Sequence, residues 1–461
     1  MYFQQISTQG LSCFSYAIGC QAAGVMMVVD PRRDTNIYSR IAKENGMRIT
    51  HIFDTHVHAD HISGAQQLRD ETGADIYIHK NTPVSYEAKK LGNGDEFIFG
   101  KTHIQILFTP GHTPCSVSLL ISDLARSRKP QMILTGDLLF VGDIGRPDLP
   151  GQEMLDEQTE NLYNSLYKVL GELPDYLEVY PGHGQGSLCG QGMSAKPSST
   201  LGYERLTNPM LKHSNFEEFK QAIMSSLPMR PQSFSAIIQS NLEKAAILAG
   251  LEDTVRYALT PAKVLELSKS GAVILDMRDG LSFGAAHISG SVHVDASNNT
   301  MLNWIGMAIA PGKPLLLILP HNKNFEEILL ELQRIGYDNI EGWLKGGLSA
   351  WIGDGLATRR FSHISAQDLS EHILQKTPLA LIDVRNPNEY SKISIGGSIN
   401  LPLSQIFDKN IPTGTISDGS VIICKSGFRA SLAASILEGL GCNDLKILSG
   451  GMDAWGRVNS N

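Results

Sequence analysis

The feature that most limits how this chain can fold is a repeat in its C-terminal half. GAVILDMR at 271–278 returns as PLALIDVR at 378–385, and IEGWLKGGLSAW returns as LKILSGGMDAW. Arg278 and Arg385 are offset by 107 residues, and Trp351 and Trp455 by 104. A period near one hundred residues is too long for a solenoid, whose repeats run about 20–50 residues. It predicts two tandem α/β domains, about 255–355 and 360–461, with boundaries near Gly250 and in Gly353–Arg360. In a chain of 461 residues this leaves 1–250 for a domain of another kind. The whole reads as an α/β multidomain protein.

The first 190 residues alternate short β-rich runs with a few helical patterns. SCFSYAIGC, GVMMVVD, RITHIFD, ADIYIH, EFIFG, HIQILFTP, SVSLLISD, QMILTGD and YLEVYPG read as strands. SRIAKEN, ISGAQQLRDETG and QTENLYNSLYKVLGEL have helical spacing. Asn93-Gly94 marks a hairpin turn, and FEEFKQAIMSSL with SNLEKAAILAG (215–250) gives two closing helices. Many strands with few helices predict packed sheets with helices outside. The composition is globular, 42% hydrophobic and 19% charged, and its net charge of −8 argues against nucleic acid or an anionic membrane as partner. No apolar run reaches the length of a membrane span, and MYFQQISTQG lacks the basic and apolar segments of a secretory signal. Six unpaired-looking cysteines suit a reducing compartment, so a cytoplasmic protein is expected.

The chemistry of the first domain is carried by Asp54-Thr55-His56-Val57-His58-Ala59-Asp60-His61, at the end of a strand. Residues i and i+2 of an extended segment point the same way, so His56 and His58 can converge. His112 (TPGHT), Asp137 (LTGD) and His183 (YPGHG) each follow another strand-like run, where loops present functional side chains. Imidazoles and carboxylates in one cluster predict a zinc, iron or manganese site. His51, His79, His103, His213, His363 and His372 lack such company and read as ordinary residues.

This THVHADH run with its three downstream partners resembles the metallo-β-lactamase superfamily, over about 1–190. The resemblance implies an αββα sandwich but not one chemistry, because hydrolases, nucleases and redox enzymes share the motif. The stretch Gly136-Asp137-Leu138-Leu139-Phe140 through Gly145-Arg146-Pro147-Asp148 resembles the persulfide dioxygenase branch. That branch implies one Fe(II) per chain on His56, His112 and Asp137, leaving three positions open. His58, Asp60, His61 and His183 would then support the ligands from behind or hold a second metal. A glyoxalase-II-like binuclear thioester hydrolase is the alternative. Arg146 is the candidate for a carrier's carboxylate or phosphate, and Cys20 could line the metal cleft, as could Cys189.

VIICKSGFRASLAASILEGLG reads as a buried strand, a six-residue loop and a helix. Cys424 opens the loop, Gly427 permits a tight turn, and Lys425 and Arg429 add positive charge. Inward backbone N–H groups and the helix dipole should favour a thiolate or persulfide anion there. The segment resembles the rhodanese active loop Cys-x-x-Gly-x-Arg, supported by Asp383-Val384-Arg385, Glu389-Tyr390, Ser449-Gly450-Gly451 and Trp455. Ser394-Ile395-Gly396-Gly397 departs from that family's usual His-Ile-Pro-Gly. A cysteine phosphatase would need its Arg at position 430, which is Ala430. The loop therefore suits one sulfur rather than a phosphate.

In the middle copy Leu319 stands opposite Cys424, and Leu319-Pro320-His321-Asn322-Lys323 has neither the Gly nor the Arg. His287-Ile288-Ser289-Gly290 keeps the framework, so the domain reads as rhodanese-like but silent, with His287 and His321 structural. Together the resemblances imply a fused persulfide dioxygenase and sulfurtransferase, expected as a homo-oligomer. Its implied partners are O2, sulfite, thiosulfate and a low-molecular-weight persulfide on glutathione, coenzyme A, bacillithiol or a similar carrier.

Overall fold

The structure, a computed structural model, describes residues 1–8, 10–190, 192–227, 229–244, 248 and 254–459. By internal contacts the chain forms two compact units: Met1–Gly250 with Leu330–Gly336, and Leu251–Leu329 with Tyr337–Asn461. The boundary expected near Gly250 lies outside the described residues, and the one expected at 353–360 falls within the second unit.

The first unit holds two six-stranded sheets. One runs Tyr2–Thr8, Cys13–Cys20, Val25–Val29, Arg48–Phe53, Asp75–His79, Lys89–Leu91; the other runs Ser199–Thr200, Glu178–Pro181, Met132–Gly136, Val117–Asp123, Thr102–Phe108, Glu96–Phe99. Alternation along these strands sorts the side chains into three apolar layers. Tyr16, Ile18, Met27, Val29 and Phe53 meet Ile104, Ile106, Val117, Leu119 and Leu134 between the sheets. Outside the first sheet, Val28, Ile52 and Ile76 pack on Tyr38, Ile41 and Leu68 of helices Asn36–Glu44 and Ala65–Thr72. Outside the second, Ile133 and Val179 pack on Leu162, Phe219 and Ile223 from helices Leu155–Asn164 and Phe216–Ser226. The result is the αββα sandwich.

Three local expectations change. The run QTENLYNSLYKVLGEL is not one helix: an α-helix ends at Asn164 and passes into a π-turn, Ser165–Val169. Asn93-Gly94 does not close a hairpin, because Lys89–Leu91 pairs with Asp75–His79 and Glu96–Phe99 pairs with Thr102–Phe108. The turn instead carries the chain from one sheet to the other. The last closing helix is Ser233–Leu242, earlier than SNLEKAAILAG suggests, and residues 245–247, 249 and 250 lie outside the described residues.

The second unit contains two five-stranded parallel sheets of the same order. Ala258–Leu259, Ile340–Leu344, Leu315–Ile318, Val273–Asp276, Val292–His293 corresponds strand for strand to Ser362–Ile364, Lys446–Leu448, Val421–Ile423, Leu381–Asp383, Ile399–Asn400. The sequence repeat is thus a repeat of topology. Loops after the carboxyl ends of the central parallel strands are where such sheets place functional groups. In the second copy that central strand is Val421–Ile423, directly before Cys424. No helix among the described residues is long and apolar enough to cross a membrane.

Candidate active sites

The metal candidates all sit at one rim of the sandwich. Arg48–Phe53, Thr102–Phe108, Met132–Gly136 and Glu178–Pro181 end just before Asp54, Thr109, Asp137 and Gly182, and strand pairing runs the last three in one direction. Their loops therefore meet at that edge, with His56, His112, Asp137 and His183 all buried. One ligand atom each of His56, His112 and Asp137 falls within 4.8 Å of the others. Asp137 Oδ2 lies 3.3 Å from His112 Nε2 and 3.9 Å from His56 Nε2.

The hydrogen bonds behind these atoms fix which nitrogen is bare. The Thr55 hydroxyl donates to Asp30 Oδ2 at 2.9 Å, so it can only accept from His56 Nδ1–H, 2.9 Å away. His112 Nδ1–H donates to the Arg146 carbonyl at 2.9 Å. Both imidazoles thus turn an unprotonated Nε2 toward Asp137, the carbonyl- or hydroxyl-backed arrangement common to metal-binding histidines. Burial lowers His112, and burial with the neighbouring His58 lowers His56, so both rings are neutral. Burial alone would raise Asp137, but the imidazoles of His183 and His112 outweigh it and hold the carboxyl well below its usual range. His112 Nε2 and Asp137 Oδ2 are buried without a hydrogen-bond partner. Two neutral imidazoles and one carboxylate, with orphaned atoms aimed at a common point, fit a divalent metal.

The other histidines are occupied differently. His183 bridges two carboxylates, Nδ1 to Asp137 Oδ1 at 2.7 Å and Nε2 to Asp60 Oδ2 at 2.8 Å. His61 Nδ1 lies 3.1 Å from Asp60 Oδ1. His58 was expected to converge with His56, yet its Nε2 turns to Asp30 Oδ1 at 3.2 Å. Among the described residues no cluster of candidate ligands contains both His56 and His58. Burial opposes the charged form of His58, but Asp30 and Asp54 push it up to about 9.

Arg146 does not face outward to meet a carrier. It is 2% exposed, forked onto Asp148 at 2.6 and 2.7 Å, and donates to the Leu188 carbonyl at 3.1 Å. A guanidinium so engaged positions the backbone that holds His112. Cys20 is also elsewhere: its Sγ accepts from the Lys101 N–H and packs by Gly100 in the inter-sheet core. The thiols that do border the cluster are Cys13, grouped with Asp60 and His183, and Cys189, grouped with Asp137 and His183. Burial pushes them up to about 11 and about 12, so both are protonated thiols. Nothing in the strand that carries Cys13 signals the approach of the His183 loop, which bridges to it.

Gly182 is required by close approach. A Cβ built there would overlap Asp137 Oδ1 and touch the Gly136 carbonyl. Gly182→Ala should therefore displace the carboxylate, weakening metal retention about 10–100-fold. Chelator competition on wild type and variant measures this directly.

In the second unit, Gly427 N–H donates to Cys424 Sγ at 3.0 Å, and Gly427 itself has φ +106°, which no L side chain adopts cheaply. The helix Phe428–Gly439 follows at once, so its positive end lies beside the sulfur loop. Arg429 is not left to the sulfur: it is forked onto Glu389 at 2.6 and 2.8 Å. Lys425 is exposed. The matching loop of the first copy, after Leu315–Ile318, offers Leu319 and His321 and no thiol. His287 is buried, its Nδ1 3.0 Å from the Phe283 carbonyl and its Nε2 3.2 Å from Glu438. Leu319→Cys should not restore sulfur transfer to a Cys424→Ser protein, since no Gly or Arg accompanies it; a sulfur-loading assay checks this.

Comparison with known proteins places both units. The metallo-beta-lactamase superfamily model matches residues 10–183, and the rhodanese-like domain model matches residues 260–354 and 365–457. A probable metallo-hydrolase of Bacillus subtilis, YqgX, is 31% identical over 34% of this chain and 79% of its own. The crystal structure of a metallo-beta-lactamase from Staphylococcus aureus superposes with a TM-score of 0.66 at 31% identity, over 75% of this chain and 98% of that one. The chain belongs to the metallo-β-lactamase superfamily. Within it, the mouse persulfide dioxygenase ETHE1 is 28% identical over 50% of this chain and 84% of its own. A metallo-β-lactamase domain with persulfide dioxygenase homologues is here joined to tandem rhodanese-like domains, the combination expected of a fused dioxygenase and sulfurtransferase.

Proposed function

We propose that this protein oxidises a low-molecular-weight persulfide with O2 to sulfite and thiol, and that Cys424 transfers sulfane sulfur to or from thiosulfate. The observation that carries the reading is the ligand arrangement. His56 Nε2, His112 Nε2 and Asp137 Oδ2 face one point, while both nitrogens of His183 are engaged by Asp60 and Asp137. That arrangement supports an ion on His56, His112 and Asp137; ligand atoms of His58, Asp60 and His61 also lie within 4.8 Å of one another, and the metal count below separates one ion from two. Fe(II) held by two imidazoles and a carboxylate supplies the open positions and electron-transfer chemistry through which O2 can react with sulfur. The balance is RSSH + O2 + H2O giving RSH, sulfite and two protons, with the outer sulfur oxidised and O2 reduced by four electrons.

The protein's own groups hold that geometry. Asp30 through Thr55 orients His56, the Arg146 carbonyl orients His112, and His183 braces the second oxygen of Asp137. In the second unit, the Gly427 N–H and the helix after it support negative charge on Cys424 sulfur. The test is metal analysis with an oxygen electrode on one persulfide. About one iron per chain and persulfide-dependent oxygen uptake are expected. Two zinc ions per chain with thioester hydrolysis in the absence of oxygen would replace this reading by the glyoxalase-II-like one.

A further inference from the structure

The second unit contains a cleft of about 590 Å³ beside the sulfur loop. One wall is the sulfur loop, Ser426, Gly427 and Phe428, immediately after Cys424; the other comes from the silent domain, including Asp279, His293 and Asp295. The charged residues lining it are the two carboxylates, with no lysine or arginine among them. Asp279 spends its oxygens capping the helix Gly280–Ala285. Asp295 gives Oδ1 to the Ser297 N–H at 2.8 Å.

Three residues lining the cleft carry a polar atom without a partner: His293 from the silent domain, His363, and Ser431 from the helix after the sulfur loop. His293, 1% exposed, donates Nε2–H to the Arg278 carbonyl at 2.8 Å, which leaves Nδ1 as a bare acceptor. Ser431, 2% exposed, has an unsatisfied hydroxyl. Both flank Gly280: a Cβ there would lie 3.8 Å from Ser431 Oγ and 3.9 Å from His293 Cε1. An unmet acceptor in a native cleft is a place where a ligand's donor belongs. Acceptors beside carboxylates, without a cation, select a positively charged hydrogen-bond donor.

We propose that this cleft seats the carrier persulfide that loads Cys424, and that the carrier bears a protonated amine. The silent domain thereby supplies the specificity-determining wall, with Asp295 and His293 reading the ammonium. The proposal rests on the sulfurtransferase reading above. In the loading step the Cys424 thiolate attacks the outer sulfur of R–S–SH. The S–S bond between the carrier's inner sulfur and that outer sulfur breaks, a new S–S bond to Cys424 forms, the proton stays on the outer sulfur, and RS⁻ leaves. Sulfite, being small, can then take the sulfur at the loop beside the exposed Lys425 without using the acidic wall.

The experiment follows Cys424 persulfide formation in the full chain, without oxygen, by intact mass. The donors are the persulfides of cysteamine, 2-mercaptoethanol and 3-mercaptopropionate, which differ in charge at nearly constant size. Intrinsic thiol reactivity cancels in the variant-to-wild-type ratio for each donor. Asp295→Asn should lower the cysteamine ratio about tenfold relative to the mercaptopropionate ratio, the loss of one charge-assisted contact. In wild type, added salt should slow loading from the cysteamine persulfide more than from the neutral one. Equal ratios for the three donors, or the same salt response for cysteamine and mercaptoethanol persulfides, overturn the proposal. Failure of Cys424 to load from any donor would instead overturn the sulfurtransferase reading.

Discussion

Asp137→Ala should remove both the metal and oxygen uptake while leaving sulfur transfer within about a factor of two of wild type. The carboxylate has two tasks: Oδ2 completes the cluster with His56 and His112, and Oδ1 holds His183 at 2.7 Å. Alanine leaves two neutral imidazoles, which compensate none of the cation's charge. Loss of groups that merely orient a ligand costs about 10–100-fold in metal affinity, so loss of the carboxylate itself should exceed about 100-fold. His56→Ala should act likewise. Cys424 lies in the other compact unit, with its own sheet and helix, so its loading should persist. Iron content, oxygen uptake on persulfide, and sulfur loading of Cys424 measured on one preparation give the comparison. Substantial oxygen uptake by iron-free Asp137→Ala would show that the reaction runs elsewhere.

What could be read in advance follows from how local each signal is. The strand runs are period-two patterns complete within themselves, and the ligands follow those strands directly, so His56, His112, Asp137 and His183 were visible as a set. The repeat was visible because both sheets in the second unit use the same strand order. Arg146 was misjudged because the Leu188 carbonyl, 42 residues on, meets it only after the chain folds back, and because nothing in the sequence shows that Asp148, two residues on, turns to meet it. The same is true of Cys13, which reaches Asp60 and His183 across loops more than 40 residues away in sequence. His58 illustrates a subtler limit. Spacing allowed it to share a point with His56, but Asp30, at the end of the neighbouring strand with φ +50°, captured its Nε2. The first strand, Tyr2–Thr8, passed without notice because its alternation is weak, and pairing with Cys13–Cys20 completes it.

Cys424→Ser should change the product rather than the rate of oxygen uptake. Sulfite is a nucleophile, and the outer sulfur of a Cys424 persulfide is electrophilic toward it. Their reaction gives thiosulfate and returns the Cys424 thiolate, with no net oxidation or reduction. A serine hydroxyl carries no sulfane sulfur, so the variant should release sulfite where the intact chain yields mainly thiosulfate. Oxygen uptake should stay within about a factor of two, because His56, His112 and Asp137 belong to the other compact unit. Joining two active sites in one chain raises the local concentration of one product at the other, to about millimolar for a short tether. That term can be separated by mixing full-length Asp137→Ala, which keeps Cys424, with full-length Cys424→Ser, which keeps the ligand cluster. At low protein concentration the mixture should release more free sulfite than the intact chain at equal oxygen uptake. A mixture that matches the intact chain in thiosulfate yield would mean that sulfite diffuses freely between molecules and that the covalent link contributes nothing to coupling.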